Sequence, residues 1–292
     1  RIPESVVGVT IVALGTSSPE LVASVIAASQ GNPGIAIGNV MGSNIFNIGA
    51  ILGLTGSIWP LKAGRETLLW EGPWLIISSL ALLVLCLLGT EIASATTSAA
   101  TAGESVLTLS RMEGVILLGL FVAFMITCLV NALRHRRMKP SPDAVEMDAG
   151  ESETWDPKDG PKGALGWIAD IFFILLGLGT LIVGAKLLVD GSVSIARVLQ
   201  VPDIVIGLTV VAAGTSVPEL ATSMVAAKRG LHGIAVPNVT GSNIQNILLI
   251  LGITAIVAPA GTLIIQPEWL TIDFAVMGGF TLVLLFFMWR GG

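Results

Sequence analysis

Long apolar windows separated by short charged or Pro/Gly-rich breaks dominate the chain. Eight of them, at 5–28, 34–58, 71–90, 112–133, 164–188, 204–227, 234–257 and 269–289, approach the roughly 20 residues a helix needs to cross a hydrocarbon core. The pattern predicts an all-α polytopic membrane protein with eight spans. Trp59, Trp70, Trp74, Trp167, Trp269 and Trp289 fall at span edges, the height of an aromatic belt, and Trp155 lies apart from any edge. Composition sharpens this: 12% of the 292 residues are charged and 53% are apolar, against about 25% charged in a soluble domain. A water-soluble globule is excluded. Cys86 and Cys128 both lie inside apolar windows, where a thiol behaves as a small hydrophobe, so neither a disulfide nor a metal thiolate is expected.

The loops alternate sides, and their charge orients the chain. One side collects Arg1, Lys62, Arg65, Arg134, Arg136, Arg137, Lys139, Lys158, Lys162, Lys228, Arg229 and Arg290, while the other has Arg111, Lys186 and Arg197. The basic side is therefore expected to be cytoplasmic, with the first span running outward. Residues 134–163, opening on RHRRMK and continuing with scattered Asp and Glu among Pro, Gly and Ser, read as a solvated cytoplasmic linker. Its acids lack the spacing of a calcium loop. A net charge of −5 argues against nucleic acid as a partner.

An offset of 199 aligns residues 6–48 with 205–247 without a gap, with 26 of the 43 positions identical. Shared GTSxPEL and GSNIxNI motifs at equal separation cannot come from general hydrophobicity. An odd number of spans separates equivalent positions, so the copies enter the membrane from opposite sides. Such inverted repeats build secondary transporters that bind substrate near mid-bilayer. The predicted division is 1–133, first repeat; 134–163, linker; 164–292, second, inverted repeat. The helix at 164–188 has no counterpart before residue 1 and that at 112–133 none after residue 292, which leads us to expect two further terminal spans in the parent protein, ten in all.

Glu20 and Glu219 each lie about midway along a span. Ionisable groups at that depth are costly and usually face a cavity, pair, or bind an ion. Thr16 and Ser17 stand four and three residues before Glu20, on its helical face, and Thr215 and Ser216 repeat this beside Glu219. Pro19 and Pro218 lack an N–H and crowd the carbonyls of Gly15 and Gly214, predicting a kink that frees backbone oxygens. The following spans add Ser43 with Asn47 and Ser242 with Asn246, each pair at i, i+4, while Gly42 and Gly241 permit close helix approach. Two carboxylates, two amides and six hydroxyls make an oxygen-only set, which suits Ca2+, Na+ or Mg2+. Two negative charges balance one divalent or two monovalent ions.

Other polar groups carry less. His135 and His232 fall in basic loops, and Asp170, Asp190, Asp273, Glu71 and Glu113 fall near span ends, where interfacial hydration accounts for them. Asn39, Asn238, Asn44 and Asn243 recur in both copies as polar glue between helices or as lining of an ion path.

The paired GTSxPE and GSNIxN motifs resemble the repeats of the cation/calcium antiporter superfamily, specifically its sodium/calcium exchanger branch, of prokaryotic type. The resemblance implies Ca2+ and Na+ as transported substrates, ten helices, and alternating access by sliding of two peripheral helices past a core. It implies residence in the cytoplasmic (inner) membrane amid lipid, with no resident cofactor, no enzymatic chemistry and no obligate protein partner. Its ligands carry over to Ala13 (carbonyl), Thr16, Ser17, Glu20, Ser43, Asn47, Ala212 (carbonyl), Thr215, Ser216, Glu219, Ser242 and Asn246. Relatives often have Phe-Asp where this chain reads Gln245-Asn246, a departure that touches stoichiometry and potassium dependence. The proton-coupled branch resembles a GNxxE pattern instead of GTSxPE, so sodium is the expected coupling ion. H+-coupled Ca2+ exchange is the alternative, and a cation channel a further one.

Overall fold

The apolar windows become long helices because, in hydrocarbon, a backbone must satisfy its own hydrogen bonds. The computed structural model describes residues 4–61, 63, 65–96, 107–137, 164–259, 261–265 and 267–290. Its helices are α1 (Ser5–Thr16), α2 (Ser18–Ser29), α3 (Pro33–Ile58), α4 (Arg65–Thr96), α5 (Arg111–Arg137), α6 (Ala164–Leu199), α7 (Asp203–Thr215), α8 (Val217–Lys228), α9 (His232–Val257) and α10 (Pro267–Arg290). Six are long and apolar enough to cross a membrane, and the bent pairs α1/α2 and α7/α8 raise that to eight, the number read from the sequence. Several helices outrun their apolar windows, since hydrogen bonding continues into the headgroup region after hydrophobicity has ended. Arg134–Arg137, expected to open the linker, instead finish α5; residues 138–163 lie outside the described set, as do Arg1 and Lys62.

The two bent spans break by 43° and 45°, at Ser17 (φ −81°, ψ 6°) and Ser216 (φ −86°, ψ 8°). Pro19 and Pro218 occupy the first turn of the half-helix that follows, where a missing N–H costs no hydrogen bond. The kinks expected from the prolines are present.

The two repeats pack through one another. α3 lies against α7, α9 lies against α1, and these two central helices are the most buried spans. Close approach requires glycine: a Cβ on Gly42 would lie 2.4 Å from the Leu208 carbonyl oxygen, and one on Gly241 2.6 Å from that of Val9. α10 packs on α4 and α3, α5 on α9, and α6 on α2. Trp74, placed in the belt by its sequence position, turns inward instead and meets Phe124 edge-on at 5.6 Å.

Two features have no counterpart in the apolar pattern. A pair of short antiparallel strands, β1 (Leu107–Ser110) and β2 (Thr262–Ile265), ties the α4–α5 connection to the α9–α10 connection, with Leu107 opposite Ile265. Four wide π-turns interrupt the inner helices, at Gly8–Val12 and Asn47–Leu52 and, 199 residues later, at Gly207–Val211 and Asn246–Leu251. Such turns concentrate at functional sites.

Candidate cation site

The breaks at Ser17 and Ser216 set Glu20 and Glu219 in the first turns of α2 and α8, at the positive ends of those half-helices. Both carboxyls are fully buried. Each is gripped by the opposite repeat: Ser17 Oγ donates to Glu219 Oε1 at 2.9 Å, and Ser216 Oγ donates to Glu20 Oε1 at 2.8 Å. The second oxygen of each, Oε2, has no hydrogen-bond partner.

The same holds around them. Ser43 and Ser242 Oγ, with Asn47 and Asn246 Oδ1, are buried and unpartnered. Buried polar atoms are otherwise nearly always paired. Six orphaned oxygens, paired by the 199-residue offset, are thus left without a partner, and their chemistry is of the kind that could hold a hard cation. Asn47 and Asn246 stand at the first residue of a π-turn.

Asn44 and Asn243 decide which way those amides face. Asn44 Nδ2 donates to the Asn243 carbonyl and Asn243 Nδ2 to the Asn44 carbonyl, each at 3.3 Å. Only a nitrogen can face a carbonyl oxygen, so the Oδ1 atoms of both must accept. They do so from Asn47 Nδ2 at 2.9 Å and from Asn246 Nδ2 at 3.0 Å. Asn47 and Asn246 are thereby fixed with Oδ1 turned away and free. Of the two roles the sequence left open for Asn44 and Asn243, the geometry supports polar glue that also orients Asn47 and Asn246.

Asn39 and Asn238 also lock helices together. Asn39 Nδ2 donates to Ser24 Oγ at 2.9 Å and to the Glu20 carbonyl at 3.2 Å, and Asn238 Nδ2 donates to Ser223 Oγ at 3.1 Å. Their Oδ1 atoms accept from Thr215 at 3.0 Å and Thr16 at 3.3 Å. Both threonine hydroxyls are thus engaged across the repeats, and only their remaining lone pairs are available to an ion. The Ala13 and Ala212 carbonyls accept from Ser17 N–H at 2.9 Å and Ser216 N–H at 3.0 Å.

Several residues sit differently from their sequence expectation. Glu71 and Glu113, read as interfacial, are 4% and 6% exposed. α4 starts at Arg65, which carries Glu71 into the bundle, where it accepts a hydrogen bond from Thr240. Glu113 accepts from the Ser110 N–H at the start of α5. His232, read as a loop residue, begins α9 with its Nδ1 buried and unpartnered. Asp190 accepts from Gln30 Nε2 at 2.9 Å. The side chains of Asp170 and His135 lie outside the described set. Gln245, noted in sequence as a departure from relatives, is buried, with Nε2 donating to the Val9 carbonyl at 3.0 Å and Oε1 unpartnered.

Known proteins resemble this chain in sequence and in fold. The sequence model of the family described as sodium/calcium exchanger protein matches residues 1–130 and 170–290. Sodium/calcium exchanger MaX1 of Methanosarcina acetivorans is 34% identical over 295 residues, covering 99% of this chain and 83% of that protein. Inner membrane protein YrbG of Escherichia coli is 31% identical over 291 residues, covering 99% and 79%. The solved structure of the sodium-calcium exchanger NCX_Mj soaked with Na+ and Sr2+ superposes with a TM-score of 0.61 at 30% identity, covering 99% of this chain and 83% of that one.

Proposed function

Since the chain belongs to the sodium/calcium exchanger family, a family of membrane transporters, we propose that its cation exchange is antiport of Ca2+ against Na+ at the cluster between α1/α2, α3, α7/α8 and α9. The observation that carries the reading is the set of six buried, unpartnered oxygens, contributed equally by the two repeats. The ligands are Glu20, Glu219, Ser43, Ser242, Asn47 and Asn246, with Thr16, Ser17, Thr215, Ser216 and the Ala13 and Ala212 carbonyls around them.

The two carboxylates supply both the attraction and the exchange rule. One Ca2+ or two Na+ neutralise them, so the same oxygens serve either cargo, and neither is comfortably left without a cation in a low-dielectric interior. Ser17 and Ser216 hold the carboxylates from opposite repeats, so filling or emptying the site acts on the contact between the repeats, which is the coupling that alternating access requires. The basic loops favour an orientation in which α1 starts at the cytoplasmic side of a cytoplasmic membrane. The GTSxPE motif in both copies favours Na+ over H+ as the coupling ion.

Ca2+ flux in proteoliposomes containing the purified protein tests this. An outward or inward Na+ gradient should drive Ca2+ in the opposite direction, with no such effect of an equal K+ gradient. Ca2+ movement driven by a pH gradient and indifferent to Na+ would replace this reading with proton coupling.

A further inference from the structure

The 199-residue offset pairs Gln245 with Phe46, an amide in one central helix against a ring in the other. Their surroundings otherwise correspond. In α1 the π-turn sends the Ala13 N–H to the carbonyls of Gly8 and Thr10, and in α7 it sends the Ala212 N–H to those of Gly207 and Thr209. An α-helical turn would have given these donors to Val9 and Leu208, four residues back, so each widened turn takes the α-helical partner from one carbonyl. Those two carbonyls are the ones that meet the central helices, Val9 against Gly241 of α9 and Leu208 against Gly42 of α3. Gln245 lies one turn beyond Gly241, and Phe46 one turn beyond Gly42.

Gln245 Nε2 donates to the Val9 carbonyl at 3.0 Å and to that of Thr10 at 3.4 Å. Its Oε1 is buried without a hydrogen-bond partner, so the nitrogen alone makes the polar contacts of this side chain. Phe46, at the corresponding place, has no donor to offer the Leu208 carbonyl. We propose that Gln245 is a positioning residue that clamps the π-turn of α1 to α9, while the twin turn of α7 rests on α3 without such a clamp. The clamped turn leads directly into Thr16 and Ser17, so holding it also holds the serine that grips Glu219. Inverted repeats that trade conformations balance the two facing states of a transporter against each other, and a hydrogen bond present in one half only weights that balance. The inference rests on the exchange reading only for the existence of two facing states.

Amide hydrogen exchange followed by mass spectrometry on the purified protein tests the clamp, comparing residues 5–16 with residues 203–215, with thermal unfolding as a check of folding. Gln245→Met keeps the length of the side chain and loses the donor. Exchange over 5–16 should then quicken about two- to tenfold, the span of a single net hydrogen bond, with 203–215 unchanged. Gln245→Phe, which installs the residue of the other repeat, should do the same, and Phe46→Gln should slow 203–215 instead. Unchanged exchange over 5–16 in Gln245→Met overturns the proposal, and so does an equal rise in both segments, which would mean general loosening. The weight on transport is read from self-exchange of radiolabelled Ca2+ in oriented proteoliposomes, which needs no coupling ion. The ratio of half-saturating Ca2+ at the two faces should shift in Gln245→Met and shift the opposite way in Phe46→Gln. A ratio common to the substituted and unsubstituted proteins removes Gln245 from the transport cycle and overturns its positioning role. Absence of Ca2+ self-exchange in the unsubstituted protein refutes the exchange reading, and the amide exchange then decides the clamp by itself.

Discussion

Ser17 in the first repeat donates its hydroxyl proton to Glu219 in the second at 2.9 Å, and the symmetry-related Ser216 does the same for Glu20 at 2.8 Å. Each carboxylate is therefore held by a residue about 200 positions away, at the break of the opposite bent span. The bond uses one oxygen of each carboxylate and leaves the other buried without a hydrogen-bond partner.

Glu20→Gln and Glu219→Gln keep the shape and the serine contact but each remove one of the two charges. Ca2+ affinity should fall by a factor of about a hundred or more, corresponding to about 3 kcal/mol for breaking a buried charge pair. Calorimetric Ca2+ titration measures this, and thermal unfolding without Ca2+ should show no loss. Normal Na+-driven Ca2+ transport by both variants would remove these carboxylates from the site.

Protons and cations compete for the same carboxylate oxygens. Ca2+ binding requires both groups ionised and displaces any proton they carry, so apparent affinity should fall as the pH is lowered and recover as it is raised. The same titration repeated from neutral to mildly acid buffer measures it. A flat profile would mean that the carboxylates do not meet the ion.

Asn44 acts through Asn246, and Asn243 through Asn47. Asn44→Ala should weaken Ca2+ binding without removing a ligand, because Asn246 is then free to rotate and offer its NH2 group. A double-mutant cycle of Asn44→Ala with Asn246→Ala should show coupling of about 1 kcal/mol or more. Additive effects on Ca2+ affinity would show that the amide is not aimed by Asn44.

Asn246→Asp puts a carboxylate oxygen where an NH2 group now donates to Asn44 Oδ1 at 3.0 Å. Two acceptors would face each other, and the cavity would hold three negative charges where Ca2+ balances two. We expect monovalent cation or proton binding to strengthen more than Ca2+ binding, read by competition of Na+, K+ and acid with Ca2+ on both proteins. Identical competition curves would place Asn246 outside the site.

Gly241→Ala would drive a Cβ to 2.6 Å from the Val9 carbonyl, forcing α9 away from α1. Overpacking of this kind costs about 1–3 kcal/mol, and Gly42→Ala, with 2.4 Å to the Leu208 carbonyl, should cost at least as much. Thermal unfolding in detergent is the measure. An unchanged midpoint for both would mean that the helices separate without penalty.

The eight spans, the two repeats and the proline breaks were legible in the order of residues, because each follows from local rules: apolar length, a 199-residue self-match, and a ring with no N–H. Helical spacing likewise put Thr16 and Ser17 beside Glu20, and Ser43 beside Asn47, since three- and four-residue separations share a face. Those rules reach only one turn along one helix. They could not tell that Ser17 grips Glu219, that Asn44 aims Asn246, or that Glu71 points at Thr240 and away from the headgroups, since each pairing joins residues about 170 to 200 positions apart. Nor did the apolar pattern announce the π-turns at Asn47 and Asn246, where helices of ordinary composition widen. Which oxygens around Glu20 and Glu219 are left unpartnered depends on what their neighbours have already bonded, and only the packing of one repeat through the other decides that pairing.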